Sequence, residues 1–275
     1  MSTTMPSETT PNNGRTLAFF GATGRTGSET LKALFAKPNS PFRLKIFVRS
    51  RDKLIAKFPQ FKADDRTVEI FEGQVTDVSG VKKCLDGADT IICTLGDNDN
   101  KPTVRVLQDG TKSMVAALKE LRDEAGGRWE RPRFILLSSA TWNERFGAQT
   151  PAAVAWLIKN AFYYPYADLL KAHETLQAEP GLVDLLLVQP PAIIEEEASG
   201  HFISVESVGV AVSYGDLGAA FAELATEESY KGIRAVGVTS GLAQKRFTRY
   251  VPEVLYRVVR GLMASFIPGF WRLIG

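Results

Sequence analysis

The run Leu17-Ala18-Phe19-Phe20-Gly21-Ala22-Thr23-Gly24-Arg25-Thr26-Gly27 decides the fold. Its first four residues are apolar and read as a buried strand. Glycines follow at Gly21-x-x-Gly24-x-x-Gly27, and residues 28–36 then carry apolar side chains at helical spacing. Strand, glycine turn and helix in that order form the phosphate-binding corner of a dinucleotide site. One glycine makes the tight turn, one lets backbone amides approach a pyrophosphate, and one lets the helix pack against the strand. The helix N-terminus offers free N–H groups to the anion. Thr23 and Thr26 add hydroxyl donors, with Arg25 between them. A glycine-rich turn without a ligand is the other reading of these residues.

The end of the second strand selects the dinucleotide, because an acid there accepts from a ribose 2′-hydroxyl and repels a 2′-phosphate. This chain has Val48-Arg49-Ser50-Arg51-Asp52-Lys53. Arg49 stands about twenty residues past the glycines, where a guanidinium can fork onto a phosphate, with Ser50 and Arg51 beside it. NADP(H) is therefore expected over NAD(H). Solvated surface charge is the plainer alternative, and Asp52 also suits a helix cap.

Further out, short apolar, β-branched or aromatic runs at 17–20, 44–48, 68–71, 90–94, 134–138 and 183–188 read as strands. Between them 28–36, 78–85, 108–121 and 168–177 read as helices. This alternation implies right-handed crossovers and a parallel sheet covered on both faces, an α/β Rossmann-type doubly wound fold. After Gln189-Pro190-Pro191 the pattern loosens. An extended stretch at 201–208, a helix at 216–225, a strand at 235–238 and an amphipathic helix from about Pro252 form a small C-terminal part expected to cover the substrate side. Residues 1–14, rich in Ser, Thr, Pro and Asn, read as a disordered leader, and 15–275 as one nucleotide-binding domain.

The 275 residues, 44% hydrophobic and 23% charged, are enough for a substantial core. With 33 basic against 31 acidic residues and a net charge of +2, no basic stripe points to nucleic acid. Cys84 and Cys93 lie in an expected helix and strand, not at metal-ligand spacing, and read as small buried hydrophobes in a reducing compartment. No apolar run is long enough to span a bilayer, since 251–275 is interrupted by Arg257, Arg260, Pro268 and Arg272. A cytoplasmic monomer or homodimer with a small-molecule substrate is expected.

These motifs, with Glu72-Gly73-Gln74-Val75-Thr76-Asp77, Thr94-Leu95-Gly96 and Leu137-Ser138-Ser139-Ala140, resemble the atypical short-chain dehydrogenase family. The likeness is to its compact NmrA-like and fungal averufin-oxidase-like members, over residues 16 to about 240. It implies that Gln74, Val75 and Asp77 neighbour the adenine, although Gln74 replaces the usual acid. It implies also that Thr94, Leu95 and Gly96 line the path of ribose and pyrophosphate, and that Gln189, Pro190 and Ile193 pass the nicotinamide. Residues 261–275 are similar to the aromatic end of fungal enzymes that tailor polyketide aromatics.

A typical member uses a serine after the fifth strand and a Tyr-x-x-x-Lys pair on the next helix. Ser138, Ser139 and Lys171 stand in the expected places, but Ala167 occupies the tyrosine position. Tyr166 is five residues from Lys171, rotated off its face, and reaches the site only if the helix starts irregularly at Pro165. Asp168, Lys171 and Glu174 share a helix face. Lys171 then either binds the nicotinamide ribose or joins a solvent-facing ladder. His173 reads as structural. His201 is a candidate acid or base, or a surface histidine. Phe162, Tyr163, Tyr164, Trp156, Trp142, Phe146, Phe266, Phe270 and Trp271 are rings that suit a flat aromatic substrate or simply pack, and Glu195-Glu196-Glu197 reads as a solvated loop.

The leading expectation is an NADPH-dependent reductase of a small aromatic or polyketide-derived carbonyl in secondary metabolism. A non-redox isomerase or ring-opening enzyme and an NmrA-like dinucleotide-sensing regulator remain open beside it.

Overall fold

A computed structural model describes residues 14–36, 42–62, 67–148 and 150–274; the expected leader, apart from Gly14, lies outside them. The chain runs β1 (Arg15–Phe20), α1 (Arg25–Phe35), β2 (Phe42–Val48), α2 (Arg51–Lys57), β3 (Val68–Glu72), α3 (Val78–Leu85), β4 (Thr90–Cys93), α4 (Val106–Ala125) and β5 (Arg133–Leu137). It continues through α5 (Glu144–Gly147), α6 (Ala152–Ala161), α7 (Tyr163–Gln177), β6 (Asp184–Val188), β7 (Ala192–Ile194), β8 (His201–Ser204) and β9 (Ala211–Ser213). It ends with α8 (Tyr214–Thr226), β10 (Ala235–Ser240), α9 (Gly241–Lys245), α10 (Val251–Phe266) and α11 (Phe270–Ile274).

The main sheet has the order β3-β2-β1-β4-β5-β6-β10-β8. Every pairing in it is parallel except β10 with β8, where His201 opposes Ser240. Strand order reverses between β1 and β4, and the crevice beyond the carboxyl ends at such a switch point is where open α/β sheets bind ligands. β7 and β9 form a separate parallel pair.

The period of two along β1 explains the layers. Leu17 and Phe19 face a core with Leu31 and Leu34 of α1 and Leu217 and Phe221 of α8. Ala18 and Phe20 face the opposite core, with Val81 of α3, Met114 and Leu118 of α4, and Leu169 and Leu176 of α7. All four β1 residues are essentially inaccessible to solvent. Burying each large apolar side chain stabilises by about 1.5–3 kcal/mol, so an apolar run without alternation suits a strand covered on both faces. Cys84 and Cys93 belong to the second core, and burial pushes both thiols up, that of Cys93 to about 12.

The structure adds the short elements α2, α5, β7, β9 and α9 to the sequence reading and departs from it in three further places. Only His201–Ser204 of the extended 201–208 stretch is a strand. The apolar α6 was not expected, because AAVAWLIKNA lacks the polar face by which an amphipathic helix is recognised. α7 begins at Tyr163, five residues before the expected start, so Pro165 falls in its first turn, where a missing N–H breaks no helical bond. Tyr166 N–H donates to Phe162 O at 2.9 Å, and the helix start is regular.

Candidate functional site

A cavity of about 300 Å³ opens at the switch point, lined by Gly21, Ala22, Thr23, Gly24, Phe47, Arg49, Val75 and the stretch 94–97 among others. Its geometry requires glycine. Gly21 has φ +90°, and a Cβ there would lie 2.6 Å from Thr94 C and 2.7 Å from Leu95 N. A Cβ on Gly27 would come within 2.1 Å of Gly21 O, so only glycine lets α1 approach the turn. Thr94 Oγ1 donates to Gly21 O at 3.2 Å, and Gly24 N–H to the same oxygen at 3.0 Å, tying the loop to β4. The first turn of α1 has no side-chain cap, which leaves its amides for an anion. The backbone cradle, the helix N-terminus and the cavity together fit a dinucleotide.

Gly21, Thr23, Gly24, Arg49, Val75, Thr94, Leu95 and Gly96 line this cavity. Other expected residues are placed elsewhere. Arg25 turns away: its Nη1 is 2.9 Å from Glu195 Oε1, and its guanidinium lies 5.5 Å from the Tyr214 ring centroid. Thr26 and Gly27 are buried in α1. Ser50 Oγ caps α2 by accepting from Lys53 N–H at 3.3 Å, Arg51 is exposed on the first turn of α2, and Gln74 is exposed outside the lining. Asp77 caps α3. Residues not singled out in the sequence also matter here. Phe47 and Val106 line the cavity, and Lys57 Nζ donates to Thr23 O at 2.7 Å and Ser28 Oγ at 3.3 Å. Lys57 becomes visible only once α2 folds back over the loop.

The ends of β5 and β6 lie next along the row. Ser139 Oγ stands 3.3 Å from Tyr166 Oη, and Thr141 Oγ1 stands 3.1 Å from the same phenol. Ser139 leads into the 3-10 turn Ala140–Trp142, accepting from Thr141 N–H at 3.3 Å. Tyr166 therefore meets the serine without sharing the lysine's helix face, because this turn lies on the tyrosine side of α7. Thr141 carried no sequence signal, since its place depends on that turn. Trp142 packs edge-on to Tyr166 at 5.6 Å, Phe162 lies at 6.0 Å, and Lys159 Nζ sits 4.7 Å from the Trp142 centroid. Ser138 is buried, with its Oγ unpartnered. Gln189 is buried; its Oε1 accepts from Asn143 Nδ2 at 2.7 Å and its Nε2 donates to Ser139 O at 3.4 Å. Pro190 O accepts from Ala140 N–H at 3.0 Å, so β6 fixes the serine turn from behind. Ile193 lies in β7, its carbonyl accepting from Arg257 at 3.4 Å.

The expected Asp168, Lys171 and Glu174 face is divided. Lys171 Nζ pairs with Glu174 at 2.8 Å, both side chains more than half exposed. Asp168 is buried instead, accepting from Leu107 N–H at 3.0 Å and Gln108 N–H at 2.7 Å at the start of α4. Successive steps of three residues turn the helix from core to solvent. His201 Nε2 is 2.9 Å from Glu223, whose other oxygen accepts from Tyr230 Oη. The 195–197 acids are not merely solvated: Glu195 holds Arg25, and Glu196 pairs with Arg246 at 3.2 Å.

The NAD(P)H-binding family matches residues 21–228. Averufin oxidase A of Aspergillus flavus is 32% identical over 234 residues, covering 82% of this chain and 82% of that protein. Oxidoreductase claK of Passalora fulva is 29% identical over 258 residues, covering 92% and 93%. Among solved structures, a short-chain dehydrogenase/reductase from Veillonella parvula in complex with NADP superposes with a TM-score of 0.62 at 16% identity, covering 84% of this chain and 96% of that one. The oxidoreductase ylbE from Lactococcus lactis gives 0.57 at 22% identity, covering 82% and 91%. These two likenesses concern the fold.

Proposed function

The chain belongs to the NAD(P)H-binding family, and on that premise we propose that it is an oxidoreductase that takes NADPH and reduces a small, flat, aromatic or polyketide-derived ketone. The observation that carries the reading is Tyr166 Oη held between the hydroxyls of Ser139 and Thr141, next along the sheet from the dinucleotide cavity. Arg49 supports the choice of NADPH, because the end of β2 offers the cavity a guanidinium and no carboxylate. The names carried by the relatives from Aspergillus flavus and Passalora fulva agree with redox chemistry.

When bound, the nicotinamide supplies a hydride. The chain handles the proton. A carbonyl oxygen against Tyr166 Oη takes its proton from the phenol, while Ser139 and Thr141 keep that hydroxyl in place and offer the route by which it is refilled. Trp142 and Phe162 give a planar substrate surfaces to stack on, which needs few polar contacts. Gln189 and Asn143 hold the Ser139 backbone, limiting drift of the oxygen pair. A dinucleotide-sensing regulator without turnover is favoured by one observation, the solvent position of Lys171.

Calorimetric titration with NADPH, NADP, NADH and NAD, on wild type and Arg49→Ala, tests the cofactor reading. Tighter binding of NADPH than NADH, lost in Arg49→Ala, is expected; no dinucleotide binding sinks the reading. NADPH consumption across a panel of aromatic ketones then separates reductase from regulator, for which no ketone supports turnover.

A further inference from the structure

Among the described residues, α10 is held to the body on one side only. Asn100 is buried and donates to Gly261 O at 2.8 Å and Ser265 Oγ at 2.7 Å, while its Oδ1 accepts from Tyr164 N–H at 2.9 Å. Ser265 Oγ donates in turn to Asn160 O at 2.6 Å, and Gly261 is the buried residue of α10. These contacts fix α10 against α6 in a defined orientation. Its opposite side is apolar and open: Leu255, Tyr256, Val259, Met263 and Phe266 fall on one face of the helix, with exposures of 58%, 66%, 46%, 41% and 60%. Trp156 of α6, 55% exposed, stacks on Phe266 at 6.2 Å and extends the face across the helix pair. A contiguous exposed patch of this kind marks a docking surface, unlike single surface leucines.

We propose that this α6–α10 face docks on an anionic lipid bilayer, with the apolar stripe in the headgroup boundary and the chain peripheral to the membrane. Charge decides the occupant. Across 152–163 and 249–272 the charged residues are Lys159, Arg249, Arg257, Arg260 and Arg272, against one acid, Glu253. That acid is already paired with Arg257 within α10. Arg249 and Arg272 are exposed beyond either end of the helix. Arg260 is likewise paired, with Asp99 at 3.5 Å, so Lys159, Arg249 and Arg272 carry the charge of the face, and a second copy related by a two-fold axis would bring these three toward their own equivalents with no unpaired acid of either helix to answer them. Anionic headgroups answer them directly, and an amphipathic helix with an aromatic-rich apolar face and basic flanks is the form that lies in the membrane interface. No helix among the described residues is long and apolar enough to cross a membrane, so α10 is read as lying on the bilayer surface.

Vesicle co-sedimentation of the full chain tests this, using phosphatidylcholine alone and phosphatidylcholine mixed with phosphatidylserine. The expected result is partition onto the mixed vesicles, weakened by salt and by omission of phosphatidylserine. Arg249→Gln with Arg272→Gln lowers partition on the order of tenfold or more. Leu255→Ser and Phe266→Ser each lower it about tenfold, with an unchanged far-ultraviolet circular dichroism spectrum, since both side chains are more than half exposed and neither is part of the core. No partition onto either vesicle overturns the proposal, as does equal, salt-independent binding to both. A concentration-dependent dimer in light scattering that Leu255→Ser abolishes also overturns it, assigning the face to a second copy.

Discussion

The phenol of Tyr166 stands 3.3 Å from Oγ of Ser139, although Tyr166 and Lys171 are not at the spacing that places both on one helix face. On the proposed chemistry proton delivery is thereby separated from the lysine of the Tyr-x-x-x-Lys pattern, and variants report the two independently. Tyr166→Phe is expected to lower kcat by about a hundredfold or more, with little change in NADPH affinity. Lys171→Ala removes only an exposed pair with Glu174 and should leave kcat within about threefold of wild type. Steady-state kinetics on a ketone substrate check both, and the reverse order of effects refutes the assignment.

Arg49 gives a sharper test of the cofactor than of the chemistry. A charge-assisted bond to a 2′-phosphate contributes about 1.5–3 kcal/mol, so Arg49→Ala should weaken NADPH by roughly ten- to a hundredfold and leave NADH nearly unchanged. Competition titrations read the ratio directly. A uniform loss for both cofactors would place Arg49 outside 2′-phosphate recognition.

Glu195 occupies the guanidinium of Arg25, which stands in the glycine loop but points out of the cavity. Glu195→Gln should free Arg25 to swing toward a bound pyrophosphate and tighten NADPH and NADH together, by about two- to fivefold, the scale of an exposed ion pair. Tightening of NADPH alone would instead place Arg25 at the 2′-phosphate.

Much of this site was legible because it is built locally. Gly21, Gly24 and Gly27 are contiguous, their roles follow from a turn and a close approach, and the structure puts them at the switch point they imply. The position of Arg49 on the cavity wall was legible because the end of a strand is fixed by its apolar run. What escaped depends on contacts distant in sequence. Thr141 meets the Tyr166 phenol only because its 3-10 turn faces α7, Lys57 meets the loop only because α2 folds over it, and Asp168 looks like a surface charge until α4 is laid beside it. Lys171 and Arg25 were placed by motif position, and each has a neighbouring carboxylate that turns it elsewhere.

Asp168 lends itself to a stability measurement. Its carboxylate receives two backbone N–H groups at the start of α4, whose first residue, Val106, lines the cofactor cavity. Asparagine at this position keeps one acceptor and sets an amide donor against an N–H. Asp168→Asn should cost about 2–3 kcal/mol in urea unfolding and raise the KM for NADPH as the α4 terminus loosens. An unchanged midpoint would show that the cap is dispensable.

His173 makes stability depend on pH in a window of its own. Burial pushes its imidazole down to about 4, and its Nε2 is unpartnered. An unfolded histidine titrates near 6.5. As pH falls below that value the unfolded chain binds a proton that the folded chain refuses, so this contribution is complete above about 6.5 and is lost toward about 4. The slope approaches about 1.4 kcal/mol per pH unit, with a total of about 3 kcal/mol. Glu196, held below the usual carboxylate range by the Glu197 backbone N–H and by Arg246, loses its contribution only at lower pH. The upper part of the window therefore reports His173. Urea midpoints between about pH 7 and about pH 5 should fall in wild type and hold nearly level in His173→Leu, which fills the same apolar site with no proton to accept. An equal slope in both proteins would assign the dependence elsewhere.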